Sequence, residues 1–425
     1  MKNLSWLFFE KILRIISGVF VGALVARYLG PNNFGVFSYS QSLVILVSSI
    51  ASLGLDGIVF RELVRNRDKV KDIVATCSAL KMLGFVLMTI AITFYFLLFK
   101  NELDIENLVY IIAISYFFQS LNTIDLYFQS ERKNDISVAF KVLGLFLSIL
   151  FKISLIYFNA PLVYFGWTLV LESAITYIGL SFAFFNRRLD IKGTLHFNLT
   201  LALEFLKNSW PLIFTGAVVM VQARIDQVML KHYLGDYEVG LYSSSLKIVE
   251  MFAFLPLILK TAFYPKISLR WHEDKEENKR VMLDYYRLNF LIFLITGFSL
   301  LLLSSYIISI LYGNEFKGAG ILLALMSFRL FFTNFGVSRS IFILNENMLK
   351  YSFFTEGVGT IINIILNVIF IPKFGAIGAI LTTFVSYAFS IFIIDLISSP
   401  TRDNALLMLK SIFSFWKCNF KGFLN

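Results

Sequence analysis

Charge is scarce in this chain, and so are histidine, cysteine and proline. Only 16% of its 425 residues are charged, where a soluble domain carries about 25%. A water-soluble fold of this composition would have too little polar surface to cover itself, which excludes an ordinary cytosolic enzyme. The two cysteines, Cys77 and Cys418, fall at the end of an expected membrane helix and in a C-terminal tail, so they form neither a disulfide framework nor a zinc quartet. The three histidines, His196, His232 and His272, sit in loops or at span ends, which argues against a metal or proton-relay cluster. No phosphate-binding glycine loop, no GxSxG elbow and no large loop of clustered carboxylates occurs. No cofactor is expected.

What is abundant is apolar sequence. Hydrophobic residues make up 57% of the chain and aromatic residues 17%, and the mean hydropathy is +0.74. A membrane span needs about 20 apolar residues, and twelve such runs follow one another between residues 10 and 398. The first leads straight into the second, so it does not read as a cleavable leader. With the N-terminus in the cytoplasm, 25 of the 38 Lys and Arg residues fall in cytoplasmic segments and 5 in the opposite loops. That asymmetry is a positive-inside signal and places both termini in the cytoplasm. It also locates the net charge of +10: the basic excess records topology, and no nucleic-acid partner is needed to explain it.

The chain repeats itself. Residues 28–40 read YLGPNNFGVFSYS and residues 233–245 read YLGDYEVGLYSSS. At this offset of 205 residues Tyr28/Tyr233, Leu29/Leu234, Gly30/Gly235, Gly35/Gly240, Ser38/Ser243 and Ser40/Ser245 are identical. Each copy joins the first and second span of a six-span half. An even number of spans separates the copies, so the repeat has parallel topology about an axis along the membrane normal. The expected architecture is all-α and polytopic, with about twelve transmembrane helices in two six-helix lobes around a central cavity. The lobes are expected at 1–200 and 201–398, with an interfacial cytoplasmic tail at 399–425 in which Phe413, Phe415, Trp416, Phe420 and Phe423 alternate with Lys410, Lys417 and Lys421, a composition suited to anionic membrane lipid.

Polar residues recur inside the spans at three- and four-residue spacing, which puts them on single helix faces. Span two carries Ser38, Ser42, Ser49, Ser52 and Asp56; span four carries Ser115, Gln119, Asn122, Asp125 and Gln129; span eleven carries Glu356, Thr360, Asn363 and Asn367. Uncharged members of such stripes often serve as interhelical glue. Asp56, Lys81, Asp125, Lys141 and Arg339 lie close enough to a cytoplasmic end to snorkel. Lys152, Glu172, Arg224, Asp226, Lys247, Glu250, Arg329 and Glu356 lie deeper, where ionisable groups are costly and face a bundle interior or a hydrated path. Lys247 and Glu250 can pair along one face at i,i+3 spacing. Together these charges point to a hydrated, mixed-charge cavity. Pro211 and Pro256 each remove a backbone donor and permit a bend.

The run Ala26-Arg27-Tyr28-Leu29-Gly30-Pro31, with Phe34-Gly35 and Ser38-Tyr39-Ser40, resembles the first-hairpin signature of Wzx-type polysaccharide repeat-unit flippases. These form the polysaccharide transporter branch of the multidrug/oligosaccharidyl-lipid/polysaccharide exporter superfamily. Ile225-Asp226-Gln227-Val228-Met229-Leu230 with Gly235, Val239-Gly240-Leu241-Tyr242 and Lys247 is similar to a second family pattern, and Ile371-Pro372-Lys373-Phe374-Gly375-Ala376 to a third. The resemblance spans essentially the whole chain. It implies a transporter, not an enzyme, of the bacterial inner membrane. Such a protein would move undecaprenyl-pyrophosphate-linked repeat units of O-antigen, lipopolysaccharide or capsule to the periplasmic leaflet by alternating access, without ATP. Twelve spans rather than fourteen argue against a lipid II flippase.

From the family pattern Arg27, Asp226 and Lys247 carry over as cavity residues. On the stripe argument Lys152, Arg224 and Arg329 would screen the pyrophosphate, arginine through its fixed fork of donors. Glu172, Asp226, Glu250 and Glu356 would balance those cations or couple to a proton or sodium ion. A polysaccharide polymerase and glycosyltransferases are the protein partners the resemblance implies. The alternatives are a cation-coupled multidrug exporter, which would favour a more acidic cavity, and a membrane glycosyltransferase or polymerase, which would need a catalytic extracytoplasmic loop.

Overall fold

The computed structural model describes residues 2–99, 102–186, 195–269, 271 and 275–418. His272, Phe420, Lys421 and Phe423 of the sequence reading lie outside them. The described residues are almost entirely helical and contain no strand, as expected where a lipid-facing backbone must satisfy its own hydrogen bonds. In order the helices are α1 (Lys2–Ser52), α2 (Asp56–Arg65), α3 (Val70–Leu98), α4 (Leu103–Gln119), α5 (Asn122–Ser130), α6 (Asn134–Tyr157), α7 (Leu162–Asn186), α8 (Leu199–Leu234), α9 (Asp236–Phe252) and α10 (Phe254–Leu269). They continue as α11 (Lys275–Tyr312), α12 (Ala319–Met326), α13 (Arg329–Asn345), α14 (Leu349–Ala388), α15 (Ile394–Ile397) and α16 (Ser399–Ile412), with a π-helical stretch at Phe389–Ile393.

Among the described residues nine continuous helical stretches are long and apolar enough to cross a membrane. Two of them, Trp6–Arg65 and Leu349–Ile397, double back at glycines with positive φ, Gly30 and Gly375, and each supplies two spans. The α9–α10 pair, broken at Ala253, supplies one more. Twelve spans result among the described residues, and the protein is an all-α, multi-pass membrane protein.

The repeat is conformational as well as textual. Gly30 has φ 71° and ψ 170°, and Gly235 has φ 86° and ψ −173°, a region open essentially to glycine alone. Spans four and ten also break at matching serines. Ser120 donates its hydroxyl to Phe117 O at 2.6 Å and Ser327 to Ala324 O at 2.7 Å, each just after a helix ends. The turns that follow reverse in left-handed residues, Arg132 (φ 56°) and Asn347 (φ 54°). Both close with the same paired bonds, Lys133 N–H to Phe128 O at 2.8 Å and Met348 N–H to Ile343 O at 2.9 Å, the Schellman arrangement of a helix C-terminus.

The chain forms two compact units, Met1–Leu29 with Val36–Val228, and Gly30–Gly35 with Met229–Asn425. The first has a mixed aliphatic and aromatic core that includes Leu55, Val59, Leu63, Cys77, Phe128 and Phe205. In the second, rings dominate: Phe331 stacks on Phe392 at 5.7 Å, and Phe335 packs edge-on to Phe392 at 5.4 Å. The second unit also holds the tips of both repeat copies, which dock reciprocally. A Cβ on Gly35 would lie 1.9 Å from Asp236 O, and one on Gly240 2.0 Å from Pro31 O. Pro211 sits within an unbroken α8, whereas Pro256 lies in the first turn of α10, just past a break. Helix α16 buries Thr401, Asn404, Ala405 and Met408, and Tyr286 donates to Asn404 Oδ1 at 2.8 Å. Phe413 and Trp416 remain exposed.

Candidate functional site

The first unit contains a cavity of about 410 Å3 walled by α1, α4, α6 and α7. Close helix contact shapes it. Gly144 of α6 faces α7 so tightly that a Cβ there would lie 2.8 Å from Glu172 O and 2.5 Å from Thr176 Oγ1. Small residues at such a crossing let backbones approach, and Ser148 secures the pair by donating to Thr168 O at 3.0 Å. This crossing carries Glu172 into the cavity wall.

Arg14 of α1 reaches across to it. Its guanidinium binds Glu172 at 2.5 Å and Glu10 at 2.7 Å, while 44% of the side chain stays exposed. Lys152 interacts electrostatically with both Glu172 and Arg14. Lys141, also in the wall, holds Asp125 at 2.6 Å, and Asp125 further accepts from Ser137 and Gln129. Gln41, Ser115, Tyr116, Gln119, Ser173 and Tyr177 complete the polar lining. Each cation in the wall is therefore matched by carboxylate, and the uncharged lining offers donors and acceptors in roughly equal measure.

Of the residues singled out from the sequence, Glu172 lines this cavity and Lys152 lies within its electrostatic field. Arg27, Arg224 and Asp226 belong to the same unit but do not line it. Asp226 is buried, and its neighbour Gln227 accepts from Ser42 at 2.5 Å. The others lie in the second unit. Lys247 sits over the Phe34 ring, 4.5 Å from its centroid. Arg329 is buried and donates to Tyr387 Oη at 3.1 Å, and Glu356 accepts from Ser352 at 3.1 Å.

Of the five charges expected to snorkel, four are held inside ion pairs, while Asp56 stays about half exposed. Lys81 is only 3% exposed and pairs with Asp56, and Asp125 is buried with Lys141. Arg339 is buried against Asp395, which it grips through Nε at 2.6 Å and Nη2 at 2.7 Å. Tyr351 adds a third bond to Asp395 at 2.9 Å. The span-eleven stripe serves largely as glue: Asn363 and Asn367 are buried, Asn367 accepts from Thr382, and Ser386 donates to Gly359 O at 2.8 Å. Arg14 was counted in the sequence only as an orientation charge. Its four-residue spacing from Glu10 was the one signal that it belonged to a network.

The described residues thus form a polytopic helical bundle with a charge-lined cavity among the spans of its first unit. Residues 1–271 match the family described as "Polysaccharide biosynthesis protein", and the chain belongs to that family. Residues 211–369 also match the family described as MatE. Among curated relatives, the capsular polysaccharide biosynthesis protein CapF of Staphylococcus aureus is 21% identical over 91% of this chain and 96% of its own length. The probable flippase AglR of Haloferax volcanii is 23% identical over 87% of this chain and 78% of its own. In fold, the chain is similar to an inward-facing multidrug-resistance MATE transporter, with a TM-score of 0.71, 15% identity and 96% of both chains covered. It is also similar to the lipid II flippase MurJ, with a TM-score of 0.52, 19% identity, and coverage of 98% of this chain and 91% of that one.

Proposed function

We propose that this protein flips undecaprenyl-pyrophosphate-linked oligosaccharide repeat units, destined for O-antigen or capsule, from the cytoplasmic to the periplasmic leaflet of the bacterial inner membrane. It does so by alternating access and without ATP. The observation that carries this reading is the water-accessible, mixed-charge cavity held among the spans of a polysaccharide-biosynthesis family member. An inside-negative potential drives a pyrophosphate outward by about 2.3 kcal/mol per charge per 100 mV. Arg27, Arg224, Lys247 and Arg329 screen that charge along the path, and Lys152 stands beside the Arg14–Glu172 pair. Glu172, Asp226, Glu250 and Glu356 balance the cations or take up a proton or sodium ion. The transport lobes are 1–200 and 201–398, both termini are cytoplasmic, and the tail from 399 lies on anionic lipid. Glycosyltransferases supply the substrate and a polymerase consumes it.

The MatE match over residues 211–369 favours one second reading, an exporter of organic cations. A strain lacking the gene separates the two. The flippase reading expects lipid-linked repeat units stranded in the cytoplasmic leaflet and surface glycan lost. Normal surface glycan in a strain with no second flippase, together with raised sensitivity to cationic drugs, overturns it.

A further inference from the structure

We infer that the cavity of the first unit is a sugar subsite that reads the carrier-proximal pyranose of the substrate and does not hold the pyrophosphate. This rests on the flippase reading and assigns one part of the substrate to one set of residues. A pyrophosphate is an acceptor-only polyanion and needs cations in excess. Here the cations are already engaged: Arg14 by Glu10 and Glu172, and Lys141 by Asp125. With Lys152 included, three cations face three carboxylates. A pyrophosphate entering this cavity would have to strip Arg14 from two carboxylates and then lie beside them.

A sugar hydroxyl meets no such obstacle, because it donates and accepts at once. Carboxylates take its proton side, guanidinium and ammonium groups take its lone pairs, and amides do both. The cavity gathers these groups in one lining: Arg14 and Gln41 of α1, Tyr116 and Gln119 of α4, and Glu172 and Tyr177 of α7. The rings offer flat apolar surface to the C–H face of a pyranose, and the cavity of about 410 Å3 falls in the range of about 300–1,000 Å3 typical of small-molecule sites. An ion pair left intact also stays preorganised, so recognition of hydroxyls costs no rearrangement of Arg14.

The test compares two probes on the full chain in nanodiscs: undecaprenyl pyrophosphate alone, and the same carrier bearing one N-acetylhexosamine. Binding is measured by native mass spectrometry on the wild type and on Gln41→Ala/Gln119→Ala. The wild type is expected to prefer the glycosylated probe at least about tenfold, the value of one or two hydrogen bonds from the neutral amides of Gln41 and Gln119. In the double variant the preference should fall to within about twofold while affinity for the bare carrier is unchanged. Retained bare-carrier binding shows that the variant is folded. Equal affinity of the wild type for both probes, or a preference that survives the double substitution, overturns the sugar subsite and leaves the flippase reading standing. Failure of the wild type to bind either probe overturns both.

Discussion

Two Arg–carboxylate pairs, one in each unit, are placed in opposite ways. In the first, Arg14 and Glu172 meet at the wall of an open cavity, with nearly half of the arginine side chain exposed. In the second, Arg339 and Asp395 meet in a sealed site, 5% and 0% exposed, with Tyr351 and Thr355 as added partners. Both are Arg–carboxylate pairs on spans of an internally repeated chain, yet one borders a cavity and the other is enclosed. The lesson is that accessibility, not the presence of a charge within a span, separates a binding pair from a fastener. A sealed pair contributes little net stability once its desolvation is counted, but removing one partner strands the other and is severe.

Breaking the sealed pair is expected to give the largest effect. Asp395→Ala leaves the Arg339 guanidinium buried without its carboxylate and should cost about 3–5 kcal/mol. This would be read as loss of the monodisperse peak and a lower melting temperature in detergent. Arg339→Met/Asp395→Leu should recover most of that loss, and a double variant as unstable as the single one would show that the pair is not the cause. Next comes the crossing that shapes the open cavity. Gly144→Leu forces a side chain where even a Cβ would sit 2.8 Å from Glu172 O, and overpacking of this kind costs about 1–3 kcal/mol. The melting temperature should fall by less than in Asp395→Ala, with substrate binding lost as α7 moves away.

Smaller again is Glu172→Gln. Its ion pair with Arg14 is partly exposed, so stability should change by no more than about 1 kcal/mol. Transport should nevertheless fall, since the carboxylate lies in the cavity wall. The smallest effect concerns the tail. Burial, and then the nearby Asp284 carboxylate, push the Cys418 thiol up to about 11. A thiol raised in this way stays protonated at neutral pH and becomes nucleophilic only as pH rises toward that value. Alkylation of Cys418 should therefore be slow at pH 8 and accelerate steeply above pH 10, and rapid labelling at pH 8 would contradict the packing of the tail against α11.

Much of the fold was legible because hydropathy reports span positions directly. The Gly30 and Gly235 turns were legible because a positive φ demands glycine in both copies. The candidate site was only half legible. Glu172 and Lys152 stood out as deep charges, and the cavity holds the first and feels the second. Arg14 did not stand out, because near the N-terminus it reads as an orientation charge and its partner lies 158 residues away. Asp395 lay on no polar stripe. The π-helical turn at Phe389–Ile393 shifts the residues after it off the face that a regular helical period assigns. Periodicity within one helix shows which residues share a face, but not which helix that face meets. The stripe that holds Asn363 and Asn367 likewise did not name its partner, which is Thr382, beyond the bend at Gly375.

The central claim, that the open pair handles substrate while the sealed pair fastens helices, is tested most directly by measuring two properties on two variants side by side. Glu172→Gln and Asp395→Asn would be reconstituted into liposomes. Melting temperature and the transbilayer movement of a fluorescent undecaprenyl-pyrophosphate-linked oligosaccharide would be read on the same preparations. The account predicts that Glu172→Gln melts as the wild type does and moves the lipid slowly, while Asp395→Asn melts well below it. Wild-type transport by Glu172→Gln, with Asp395→Asn melting as the wild type does, would contradict it.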